Sequence, residues 1–140
     1  MKNSTFYLTL LVLVISISLT SCGKGGSDTP SKAVIALFDS MKNKDFEKSA
    51  AMFVNNKGKK LSKEEAKKIE GLIGMMAKEY EKKGGFDKVT IDEEKINKDG
   101  NSAKVYYTTH YKNGKTKKDN MNLIKVNDKW VFEAFHGFGN

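Results

Sequence analysis

The chain has 140 residues and a formal net charge of +8, and lysine is its only strong base, with no arginine anywhere. Its one cysteine, Cys22, excludes a disulfide within the chain, so packing must hold the fold together. Without arginine, the side chain that reads phosphate and guanine with two parallel hydrogen bonds, specific nucleic-acid binding is not expected.

Lys2 is followed by a stretch from Phe6 to Leu19 that is apolar apart from Thr9, Ser16 and Ser18. That is the form of a secretory signal, and it is short for a membrane span. The quartet that ends it, Leu19-Thr20-Ser21-Cys22, resembles the lipobox of bacterial lipoproteins. The resemblance implies cleavage before Cys22 and acylation of its thiol and new amino group. It further implies a chain exported and anchored to the lipid bilayer of the cell envelope, on a periplasmic or surface face. Residues 1–21 are then the signal peptide, residues 22–29 the lipidated cysteine and a flexible tether, and residues 30–140 one domain. The lysines mix with acids, as in Lys63-Glu64-Glu65, and read as a solvated surface more than as a membrane-binding patch.

Thr29 and Pro30 have the chemistry of a helix start, and Val34, Leu37, Phe38 and Met41 then fall on one stripe. Asp45 caps a second short helix from Phe46 to about Phe53, followed by a basic loop at residues 55–60. Ser62 and Glu65 have capping-box spacing at the head of a third helix, whose face carries Ala66, Ile69, Leu72, Ile73, Met76 and Tyr80. Gly71 and Gly74 weaken this helix or admit a close neighbour, Met75 and Met76 read as core filler more than as the lining of an adaptable pocket, and Gly84-Gly85 ends it.

From Phe86 the period changes to two. Strands are expected at residues 86–96, 102–112, 115–126 and 129–136, separated by Asp99-Gly100, Asn113-Gly114 and Asn127-Asp128. If each dipeptide is a two-residue turn, counting outward pairs Tyr106 with Met121, Leu123 with Phe132 and Ile91 with Thr108. Val89, Ile91, Tyr106, Met121, Leu123, Trp130 and Phe132 then share an apolar face for the helices to cover, which makes an α+β domain.

Helices followed by such a meander resemble the NTF2-like, cystatin-like group, in which helices pack on one face of a curved four-stranded antiparallel sheet. More closely, the stretch from Thr29-Pro-Ser-Lys-Ala-Val to Lys44-Asp-Phe-Glu-Lys-Ser-Ala-Ala-Met-Phe, with Asn122-Leu-Ile-Lys-Val-Asn-Asp-Lys-Trp-Val, resembles the DUF4878 domains of bacterial lipoproteins. These motifs are structural and carry no catalytic residue. The resemblance implies a fold and a compartment, and in this fold group a pocket between helices and sheet that is sometimes open and sometimes filled.

Candidate pocket-lining residues are Tyr106, Thr108, His110, Met121, Trp130 and Phe132, with Met76 from the third helix. The one catalytic arrangement the register offers is Asp119 beside His136, with Tyr106 as a donor. Polar residues at a sheet's end are the simpler reading, and no enzyme is expected. Two histidines without a cysteine partner, and an acidic run on a strand, offer no metal or cofactor site. Tyr107, Val131 and Phe135 on the outer face would make an apolar patch for homodimerisation. The expected protein is an envelope lipoprotein with a small binding or interaction domain for a small ligand or an envelope protein. A pocket enzyme and a structural protein with a filled pocket are the alternatives.

Overall fold

The computed structural model describes residues 25–134, which places Cys22, Phe135, His136 and Phe138 outside the described residues. Helix α1 (Pro30–Lys42) starts where the sequence puts it: the Lys32 backbone N–H donates to Thr29 Oγ1 at 3.3 Å and Pro30 occupies the first turn. Glu94, reaching across from the sheet, adds an acceptor at this end, taking the Ser31 backbone N–H at 2.9 Å and the Ser31 hydroxyl. A carboxylate there also meets the positive end of the helix dipole. The buried stripe is Ala33, Val34, Leu37, Phe38 and Met41.

Helix α2 (Phe46–Ala50) is capped by Asp45 and tied to α1 by the buried hydroxyls of Ser40 and Ser49, 2.7 Å apart. It ends earlier than expected. Phe53–Val54 form a short strand, β1, instead of a last helical turn. The reason lies in strand β5 (Lys129–Glu133), whose open edge needs partners: Phe132 N–H donates to Met52 O at 3.0 Å and Ala134 N–H to Val54 O at 2.8 Å. The sheet therefore has five strands, not four, and β1 runs parallel to β5.

Helix α3 (Lys63–Lys82) has the full capping box, with Ser62 Oγ and Glu65 each accepting from the other's backbone N–H. It closes through Gly84 at φ +111°, with Gly85 N–H donating to Tyr80 O at 2.9 Å and Gly84 N–H to Glu81 O at 3.2 Å. Strands β2 (Phe86–Ile96), β3 (Ser102–Tyr111) and β4 (Thr116–Val126) complete an order of β1-β5-β4-β3-β2.

The register departs from expectation on one strand. Asn127 and Asp128, at φ +49° and +61°, form the expected two-residue turn, and Lys125 faces Trp130. At Asn113-Gly114 only the glycine has positive φ, and Tyr111 N–H donates to Lys115 O at 2.9 Å, so the loop holds three residues. The Asn113 side chain donates to Lys83 O at 2.9 Å, which pins this loop to the end of α3. The extra residue moves the β3–β4 pairing by one: Val105 faces Met121, Tyr106 faces Asn120 and Tyr107 faces Asp119. A slip of one exchanges the faces of a strand. Ala103, Val105, Tyr107, Thr109 and Tyr111 therefore face the core, and Tyr106, Thr108 and His110 do not. An irregularity between Ile91 and Glu93 shifts β2 in step, so Ile91 faces Tyr107 rather than Thr108 and still packs against the core.

Among the described residues the core lies between the helices and this face, from Ala33 to Ala134. Phe38 stacks on Phe86 at 5.4 Å and meets Tyr107 edge-on at 5.2 Å, while Phe53 packs on Phe132 at 5.2 Å. Of the outer patch expected from Tyr107, Val131 and Phe135, Tyr107 is a core residue, Val131 is buried where Gly26 passes, and Phe135 lies outside the described residues. Part of the expected tether is also docked: Ser27 exchanges two backbone hydrogen bonds with Trp130, at 3.0 and 2.8 Å, and Asp28 pairs with Lys129.

Candidate functional site

Where the C-terminal end of α1, helix α2, the face of α3 and the start of β2 meet, the surface opens into a groove of about 630 Å³. Its floor is apolar, formed by Phe38, Met41, Phe46, Tyr80 and Phe86. One wall is α3, on which Lys67, Gly71, Gly74, Met75 and Lys78 follow one another at helical spacing. The two glycines hollow this wall. A Cβ on Gly71 would meet nothing within 4 Å, and one on Gly74 would touch the Phe46 ring at 3.7 Å. Met75, 64% exposed, adds an adaptable apolar side chain to the lining.

The rim is cationic: Lys42, Lys44, Lys67, Lys78 and Lys112 against Glu70 and Glu81. The Lys42 ammonium donates to Asp87 O at 2.8 Å and lies 5.9 Å from the centre of the Phe86 ring. The other four lysines make no ion pair among the described residues.

Behind the floor the aromatic cluster continues to Tyr107 and Tyr111, with Tyr80 and Tyr111 rings 5.9 Å apart. Burial, reinforced by Tyr111 and Asp119, pushes the Tyr80 hydroxyl up to about 12, and burial raises Tyr107 further. The buried Tyr111 hydroxyl has no hydrogen-bond partner among the described residues.

The residues singled out from the sequence are distributed otherwise. Met121, Trp130 and Phe132 are core residues, Met76 packs beside them, and none of the four lines the groove. Tyr106, Thr108 and His110 lie on the opposite face of the sheet, a correction that follows from the three-residue loop. There Lys95 stands 5.2 Å from the centre of the Tyr106 ring, Thr108 donates to Asp92 Oδ2 at 2.7 Å, and His110 Nε2 meets Thr90 Oγ1 at 2.9 Å. Asp119 stays on the helix side, opposite Tyr107, and so is separated by the sheet from Tyr106.

Burial pushes the Asp119 carboxyl up, but the Lys117 ammonium at 2.7 Å and the Asn120 N–H at 2.9 Å outweigh it and hold it below the usual carboxylate range. An ion-paired carboxylate of this kind is a poor general base. His136 lies outside the described residues. Among the described residues no group of three or more His, Cys, Asp or Glu side chains is placed to hold a metal ion.

The groove's traces in the sequence are Gly71, Gly74 and Met75. Their meaning depends on which face α3 turns toward α2, and spacing alone does not give that.

No curated protein matches the chain. Among solved structures, a Campylobacter jejuni protein with the provisional description NTF2-like transpeptidase, known from a crystal structure at 2.00 Å resolution, is 22% identical with a TM-score of 0.59. The alignment covers 74% of this chain and 95% of that one. At that identity the likeness establishes the fold, which is NTF2-like. Aln2 from a Streptomyces species, 20% identical over 74% of this chain and 86% of its own, has a TM-score of 0.39 and carries no argument. A family model described as a domain of unknown function, DUF4878, matches residues 20–132. That match takes in every described helix and strand except the last residue of β5, and by it the chain belongs to the DUF4878 family.

Proposed function

We propose that this chain is a lipid-anchored protein of the bacterial cell envelope whose domain holds a small ligand in the groove between α1, α2 and α3. Residues 1–21 direct export and Cys22 carries the acyl chains; the family match opens at residue 20, so it includes that cysteine. Several acyl chains make a firm anchor, since each buried methylene contributes about 0.8 kcal/mol. The observation that carries the binding role is the groove itself. At about 630 Å³, with an apolar floor and polar groups at its rim, it has the size and character of a small-molecule site. Binding is preferred to catalysis because Asp119 is ion-paired and Tyr106 lies across the sheet from it.

Two measurements test this. Radiolabelled palmitate is expected in the wild-type protein and not in Cys22→Ser; a wild-type protein without label ends the anchor. Native mass spectrometry of the chain beginning at residue 23 is expected to show a bound small molecule that Gly71→Leu loses. An adduct that survives Gly71→Leu, or none in either protein, removes the groove from the account.

A further inference from the structure

We infer that the occupant of this groove is a free, single-chain amphipathic anion, a long-chain carboxylate of the fatty-acid class. This rests on the groove being a ligand site, as proposed above. Three features converge on it. The floor of Phe38, Met41, Phe46 and Phe86 offers no charged group and favours a hydrocarbon chain. The rim is cationic, and Lys44, Lys67, Lys78 and Lys112 keep their ammonium groups uncommitted to any acid among the described residues. Lysine stems lie along apolar surface while their heads reach outward, so the rim can hold a compact anion above a buried tail. A lysine head is a point charge rather than a planar fork, and suits a small carboxylate without demanding one fixed geometry.

The third feature is size. A groove of about 630 Å³ has the dimensions of a site for one small molecule, which favours a single-chain anion over a membrane lipid with two chains.

The test uses the chain beginning at residue 23, which retains the whole described core. Its methionine methyls are labelled with carbon-13. Met41 and Met75 report on the groove, while Met52 and Met121, in the core away from it, serve as internal references. Octanoate, decanoate and dodecanoate are titrated below their micellar concentrations, beside the alcohols of equal length and vesicles of phosphatidylglycerol. The carboxylates are expected to shift Met41 and Met75 and leave Met52 and Met121 in place. Affinity should rise about fourfold per added methylene. The alcohols should bind about tenfold more weakly or worse, and Lys67→Gln with Lys78→Gln should narrow that gap.

Alcohols that bind as tightly as carboxylates, while still shifting Met75, overturn the anionic class and leave the groove as a ligand site. Vesicles that shift Met75 where decanoate does not overturn the free-molecule claim in favour of a membrane lipid. If none of the probes moves Met41 or Met75, the inference fails, and the adduct in native mass spectrometry then decides separately whether the groove binds anything else.

Discussion

Gly71 is where a single atom decides between surface and site. Inside a helix, glycine is the worse choice by about 0.8–1 kcal/mol against alanine, and leucine is nearly as good a helix former as alanine. Since a Cβ at Gly71 meets open space, Gly71→Leu is expected to raise stability by about 0.7 kcal/mol while it fills the groove. A urea midpoint below the wild-type value would show that the wall is more crowded than this geometry allows. Tyr80 sets a second expectation. Its hydroxyl stands near 12 in the folded chain, because of burial, and near 10 when unfolded. The unfolded chain therefore gives up this proton first. Stability is intact below pH 10 and declines as pH climbs toward 12, and Tyr107 adds to the decline in the same direction. Urea midpoints measured from pH 9 to 11.5 should fall, and should fall less in Tyr80→Phe. Tyr106 and Tyr107 show how little of this a sequence exposes. They are neighbours of one residue type, one half-exposed and one in the core, and only the pairing register tells them apart.

Elements are legible in proportion to how local their causes are. The starts of α1, α2 and α3 are written in single caps (Thr29, Asp45 and Ser62), each of which satisfies backbone groups within three residues of itself. Ser62→Ala is accordingly expected to cost about 1 kcal/mol, read as a lower urea midpoint with the helical circular-dichroism signal retained. No loss of stability would mean that α3 is held by its packed face alone. Strand β1 is not legible, because two residues after a helix become a strand only when β5 offers its edge to them. The β3 register is hidden for a similar reason. An Asn-Gly pair permits a two-residue or a three-residue loop, and the choice is made by Asn113 bonding to the end of α3, thirty positions away in sequence.

At the scale of the whole molecule, the α+β class and the helices-on-one-face architecture follow from two periodicities and a set of turn residues, which are properties of the chain read in order. The groove does not follow, because it is made by what three helices leave unfilled. The docking of Ser27 on Trp130 is equally hidden, since a run of glycine and small polar residues reads as slack. Amide exchange should expose it: the Ser27 and Trp130 N–H groups, bonded to each other's carbonyls, are expected to exchange more slowly than that of Gly25. Equal rates would mean that the segment is loose. If it is held, only residues 23–26 remain as leash beyond the proposed lipidated cysteine, a reach of at most about 14 Å. A body moored that closely cannot roll over. Whatever lies above the membrane would always meet the same side of it, and pulling on the mooring would load the rim of the sheet in shear, where Ser27 and Trp130 are bonded.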